Sequence, residues 1–196
     1  MRLKGKKFFY SASDLSGFIH CHHLTTLNKK AVLGEIQKPE QESRLIETLQ
    51  LRGNEFEKNQ LTKLKRQRKS IAAIDQTSKT ALEDTLKAMK KGFDVIYQAR
   101  MEMGEWQGWA DFLIRVDKPS KLGKWSYEVY DTKLASTTKA GTILQISLYT
   151  EIVATIQGVT AEEMHVWTPK GKETFRVNEY SAYYRLIKRK IGRAHV

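Results

Sequence analysis

Two stretches of this chain carry acids where strands should be apolar, and their chemistry is that of an ion site. In WADFLIRV, residues 109–116, Asp111 interrupts an apolar run. An ionised carboxylate buried in such a run is costly unless it is paired or holds a metal. In WSYEVYDTKLA, residues 125–135, a two-residue period puts Tyr127, Val129, Asp131 and Lys133 on one face. Glu128, Tyr130, Thr132 and Leu134 share the other face, so Glu128 takes no part in the site. Neighbouring strands lie about 5 Å apart, so Asp111 and Asp131 could converge on one cation with Lys133 aimed at the same place. Two carboxylates holding a hydrated Mg²⁺ or Mn²⁺ beside an amine suit phosphodiester hydrolysis. The ion polarises a phosphoryl oxygen and activates a water, while the lysine positions that water or stabilises developing charge. Each residue alone also reads as an ordinary solvated pair or local acceptor. Together, in neighbouring strands of a basic chain, they favour a metal site.

The elements that must position them follow from periodicity. Ser11 with Asp14 three residues on predicts the start of a short helix through Leu15, Phe18 and Ile19, and a second covers Leu24 to Leu33. Pro39 and Glu40 precede a long helix over about 42–67 with an apolar stripe from Leu45 to Leu64. A short strand at 70–74 and a helix over 77–91, stopped by Gly92, come next. Strands are expected at 93–103 and 107–116, turning at 104–106, and then at 125–135. Helical spacing returns over 141–157, strands over 164–168 and 173–177, and a last helix over 180–190. The expected fold is an α/β mixed sheet flanked by helices, with an N-terminal helical segment. One domain over 1–190 is expected. The last six residues, IGRAHV, match the translation of a common sequencing adapter, so 191–196 are expected to be a non-native tail beyond which more protein followed.

Asp111, then Asp131-Thr132-Lys133, resembles the PD-(D/E)XK nuclease motif, and Gln145-Ile-Ser-Leu-Tyr149 is similar to the Q-x-x-x-Y motif of its RecB-like branch. Gln145 and Tyr149 are four residues apart, on one helical face. In Arg52-Gly-Asn-Glu-Phe-Glu57, Gly53 and Glu57 resemble that branch's upstream helix motif, which implies Glu57 as a third metal ligand on a helix brought close to the sheet at the glycine. Many relatives have histidine near this point, and Glu55 is a weaker alternative. The resemblance implies a restriction-endonuclease-like fold and a Mg²⁺- or Mn²⁺-dependent deoxyribonuclease of DNA repair, recombination or defence. It also implies metal binding by Glu57, Asp111, Asp131 and the main-chain carbonyl of Thr132. Lys133 would be the catalytic lysine, positioned by Gln145 and Tyr149. SASDLSGFIHCHHLTTL and EMHVW extend the likeness over almost the whole chain, to a module found fused to RNase-H-like and helicase domains. A DNA-binding module of such a machine with weak or no cleavage, and an RNA nuclease, are the competing expectations.

Lys plus Arg is 34 against 22 Asp plus Glu, a net charge of +12 that favours a polyanion such as DNA. Lys58, Lys63, Lys65, Arg66, Arg68 and Lys69, and Lys118, Lys121 and Lys124 before the Asp131 strand, are expected near that site as backbone contacts with little sequence specificity. One cysteine excludes an intrachain disulfide and a four-cysteine cluster, so no iron–sulfur cluster is expected. In HCHH, residues 20–23, adjacent residues cannot all face one zinc ion, and Cys21 with Leu24 is expected to pack the first helices together. No apolar run is long enough for a membrane span and no signal peptide is visible, so a soluble, cytoplasmic protein without membrane contact is expected.

Overall fold

The computed structural model describes residues 1–39, 44–67 and 69–193. A hairpin of β1 (Arg2–Lys4) and β2 (Lys7–Phe9) precedes α1 (Ala12–His20) and α2 (His22–Val32). The chain continues through α3 (Arg44–Arg66), β3 (Ile71–Ala73), α4 (Ala81–Lys91), β4 (Val95–Met103), β5 (Trp106–Val116) and β6 (Ser126–Thr132). It ends with α5 (Ala140–Gln157), β7 (Glu163–Thr168), β8 (Gly171–Arg176) and α6 (Val177–Arg193). β3 to β8 form one sheet of six strands in chain order. β3 and β6 run parallel to β4 and β7, and the other neighbours are antiparallel. Parallel neighbours need a crossover, and α4 and α5 supply the two. The fold is therefore α/β, a mixed sheet flanked by helices.

The larger core packs α1, α4, α5 and α6 on one face of the sheet through Leu15, Met89, Leu148 and Ile187. Its strand side chains include Ile96, Leu113, Tyr127 and Val129. α3 covers the other face with Leu61 and Leu64 against Val95, Phe112 and Tyr130. α5 is buried on nearly every side, the pattern of a helix held between a sheet and other helices.

β6 pairs with β7 only from Tyr130 to Thr132, which leaves Tyr127 without a strand partner on that side. Gln157, fully buried at the end of α5, fills the place. Its carbonyl accepts from Tyr127 N–H at 2.8 Å, and its amide donates to the carbonyls of Tyr127 at 3.3 Å and Val159 at 3.1 Å. Gln157→Ala orphans those buried groups, so urea unfolding should show a loss of about 2–4 kcal/mol.

Several elements differ from the sequence reading. β1 and β2 are additional; each has three residues, RLK and KFF, too short to show a period. α4 starts four residues late because Asp75 accepts from the N–H and hydroxyl of Thr77, both at 2.8 Å, and holds the chain in a turn. α6 starts three residues early, directly from β8, and Ile191 within it is fully buried in the larger core. Cys21 is exposed and does not pack the first helices: it lies extended between α1 and α2, while Leu24 alone approaches Gly17. The predicted start of the long helix near Glu40 and residue 42, Arg68, and residues 194–196 lie outside the described residues.

Candidate functional site

The β5–β6 ladder runs from Val116↔Ser126 to Phe112↔Tyr130 and stops one pair short of Asp111 and Asp131. There Thr132 donates to Asp111 Oδ2 instead, from its backbone N–H at 2.8 Å and its hydroxyl at 2.7 Å. The strands part, and a carboxylate does the work of a carbonyl. On the other side of β5, the ladder to β4 skips Gln98, which lies opposite Asp111. Gln98 has φ 54°, the one non-glycine residue with positive φ among the described residues. A left-handed non-glycine residue costs roughly 1–2 kcal/mol. Alternation slips here in both strands: Ile96 and Leu113 face the larger core, Tyr97 and Phe112 the smaller, and Ala99 and Ala110 the larger again. The slip releases Asp111 and Gln98 from the regular in–out order.

Asp131 is 1% exposed. Gln145 donates to its Oδ1 at 2.9 Å, and the Lys133 ammonium lies 2.5 Å from its Oδ2. That Oδ2 nonetheless has no donor aligned on it as a hydrogen bond, so a buried oxygen faces a charge rather than a directed partner. Burial first, and the Asp111 carboxyl second, push Asp131 up to about 8 although Lys133 pulls the other way. Burial works against the Lys133 ammonium, but Asp131 and Asp111 outweigh it and hold its pKa above the ordinary value. Lys133 lies one residue past β6, where its N–H donates to the Trp167 carbonyl at 2.9 Å and keeps the backbone in step with β7.

Tyr149, one turn beyond Gln145 on α5, is buried under β5, where its hydroxyl meets the Trp109 backbone. Burial, then the Asp131 charge, raises its pKa well above that of a free phenol. Gly108 makes this seat: a Cβ there would lie 2.5 Å from the Tyr149 hydroxyl oxygen and 2.8 Å from its ring. Gly108→Ala should therefore cost about 1–3 kcal/mol in denaturant titrations, partly recovered by adding Tyr149→Phe.

Glu57 approaches from α3. It accepts from the Gln98 amide, which in turn accepts from Gln76, and from the Tyr97 hydroxyl. Burial and then the Asp111 charge raise its pKa, and Lys133 lowers it. Among the described residues, the one group of three ligand-type side chains whose atoms all lie within 4.8 Å of one another is Glu128, Glu163 and His165. Glu57, Asp111 and Asp131 do not close that tightly. Gly53 does not bring α3 against the sheet, since a Cβ there would meet open space. Glu57 opens on a cleft of about 350 Å³ with Asn54, Lys58 and Gln76. Lys133, Gln145 and Tyr149 open on another of about 610 Å³ with Arg2, Tyr10, Arg100 and Trp109. Asp111, Asp131, Thr132, Lys133 and Gln145 thus form one connected network. Glu57 is coupled to it electrostatically, through Asp111 and Lys133, and Tyr149 seats beneath it. Thr132 acts here through its N–H and hydroxyl.

The basic residues sort unevenly. Lys118, Lys121 and Lys124 do not lie by Asp131. Their loop precedes β6, so the strand separates them from its far end by roughly 17 Å. Lys118 pairs with Glu162 at 3.0 Å, and Lys121 folds over Gly158 at the C-terminal end of α5, where a cation suits the helix dipole. Lys58, beside Glu57, borders the smaller cleft. Arg2, Arg100 and Trp109 line the larger cleft without having stood out in the sequence. Arg100 stacks over Trp109 at 5.4 Å and donates to Glu102 and Gln107. In the HCHH stretch, His20 bonds the Ser16 carbonyl at 2.6 Å and His22 stacks on Phe18 at 4.2 Å.

The donor set suits a hard divalent cation: carboxylate oxygens, one of them buried without a directed partner, on an Asp131 that burial and the neighbouring Asp111 charge make costly to ionise. No family model matches the chain, and no curated protein matches it. Among the described residues no helix is long and apolar enough to cross a membrane.

Proposed function

We propose that the chain is a divalent-metal-dependent nuclease that hydrolyses DNA phosphodiester bonds on a restriction-endonuclease-like fold. The observation that carries the reading is the contact of Lys133 with buried Asp131, with Asp111 across the parted strands. Asp111 and Asp131 would hold Mg²⁺ or Mn²⁺, with Glu57 beside them. The bound ion would polarise a phosphoryl oxygen and lower the pKa of a water. Lys133 holds its proton at Nζ and offers positive charge where the phosphate becomes more negative. Gln145 fixes the Asp131 carboxylate so that it cannot rotate away from Lys133. Arg2, Arg100 and Trp109 in the larger cleft would receive backbone and base with little sequence specificity. The net charge of +12 supports a polyanionic substrate.

A DNA-binding module with weak cleavage is the second reading, favoured because Glu57 does not close with the two aspartates into a set within 4.8 Å among the described residues. Calorimetry with Mn²⁺ separates the two. The nuclease reading expects binding that Asp111→Asn and Asp131→Asn each remove, and binding indifferent to both favours the module. The ion must displace the proton that Asp131 holds up to about pH 8. Apparent Mn²⁺ affinity should therefore rise by up to about tenfold per pH unit from 6 to 8 and level off above, in titrations at fixed ionic strength.

A further inference from the structure

We propose that Glu128, Glu163 and His165 form a second divalent-cation site, of the zinc class, separate from the Asp111–Asp131 pair. β6 and β7 run parallel with Tyr130 beside His165, so Glu128 and Glu163, two residues earlier on each strand, share the same face. That face is the one away from α5, since Tyr127 and Val129 point into the larger core. His165 Nε2 lies 3.0 Å from Glu128 Oε2 and 4.0 Å from Glu163 Oε2, and the three ligand atoms all fall within 4.8 Å of one another. Tetrahedral zinc with bonds of about 2.0–2.2 Å sets its ligand atoms about 3.4 Å apart, between the two observed distances. Opening the narrower of these two pairs and closing the wider by about half an ångström would bring both to that spacing.

Two features outside the cluster prepare it. The other ring nitrogen of His165 is held by the Thr174 hydroxyl on β8 at 3.0 Å, the outer-shell contact that fixes a metal-binding imidazole. Tyr130 stacks on the ring at 4.1 Å and fixes its plane. Charge balance points the same way. Glu128 is buried, and among the described residues neither it nor Glu163 has a lysine or arginine ion pair. Lys118, which feels both carboxylates, is paired with Glu162. Arg176, opposite Glu163 in the β7–β8 register, makes no ion pair with it. A divalent ion answers the two carboxylates, which no lysine or arginine pairs among the described residues. The Glu163 side chain is 47% exposed, so it gives the ion a way in and leaves a position open to water.

Zinc binding to the full chain tests this, by equilibrium dialysis with metal analysis and by calorimetry. Wild type and Asp131→Asn should each bind one tight Zn²⁺ on this cluster. Glu163→Gln should weaken that binding at least 10- to 100-fold, roughly what loss of an outer-shell partner alone costs. His165→Asn should abolish it, but that residue is buried, and the half-exposed Glu163 gives the variant that keeps the fold. The proposal is overturned if Asp131→Asn removes all tight zinc binding, if the folded wild type binds none, or if Glu163→Gln binds zinc as wild type does.

Discussion

Lys133→Ala is expected to slow DNA cleavage by about 10²- to 10³-fold, the usual loss when one donor to a developing negative charge is removed. The ammonium lies 2.5 Å from Asp131, and Asp111 and Glu57 also bear on it electrostatically, so its charge sits among all three acids. The fold should survive. The side chain is 32% exposed and follows the end of β6, and its backbone bond to Trp167 does not depend on the amine. Without Lys133, Asp131 simply keeps its proton more firmly, because burial and Asp111 already push it that way. Lys133→Arg should recover little, since a planar guanidinium cannot place a point charge in the same space. Single-turnover cleavage beside a thermal melt reads both effects.

Asp131→Asn should remove cleavage by at least about 10³-fold while making the protein more stable, because the side chain most needed by the ion is the one folding tolerates least. The sign follows from the raised pKa. Burial and Asp111 push Asp131 up to about 8 in the folded chain from an ordinary 3.8, so between those values the folded state holds a proton that the unfolded state has lost. Wild-type stability from this group is intact below about pH 4 and drains away as pH rises to about 8. Asparagine carries no such loss. Its advantage in denaturant midpoint should grow across that window, reach on the order of 1–3 kcal/mol, and stay constant above it. An advantage that shrinks with rising pH would show that Lys133 holds Asp131 ionised after all.

Much of the frame was legible because long elements announce their period. α5, α3 and the β4–β6 strands follow from Ile143 to Ile156, Leu45 to Leu64, and the alternation around Val129. Asp111, Asp131 and Lys133 were legible as a group because acids in apolar strands have few inexpensive explanations. What the sequence could not show is the slip at Gln98 and Asp111. A two-residue period continued through both would put Ala99 and Ala110 on the side of Tyr97 and Phe112, and nothing in the letters marks a positive φ at glutamine. The β1–β2 hairpin escaped for want of length. The misplaced lysine loop has a plainer cause: Lys118 to Lys124 are near Asp131 in sequence, but an intervening strand carries the chain across the sheet. Glu128 was set aside as facing away from the first site. It does face away, towards Glu163 and His165, and the signal was present as E-x-Y and E-x-H at matching places in two strands that turn out to be parallel neighbours.

Incubation of labelled single- and double-stranded DNA with Mn²⁺, wild type beside Asp131→Asn, puts the central claim to the most direct trial. The parted strands, the buried carboxylate and the adjacent amine predict cleavage by the wild type that the variant lacks, with both proteins folded. Equal cleavage by the two, or none by a folded wild type at pH 8, would contradict the claim that this pair of aspartates and its lysine act on phosphodiesters.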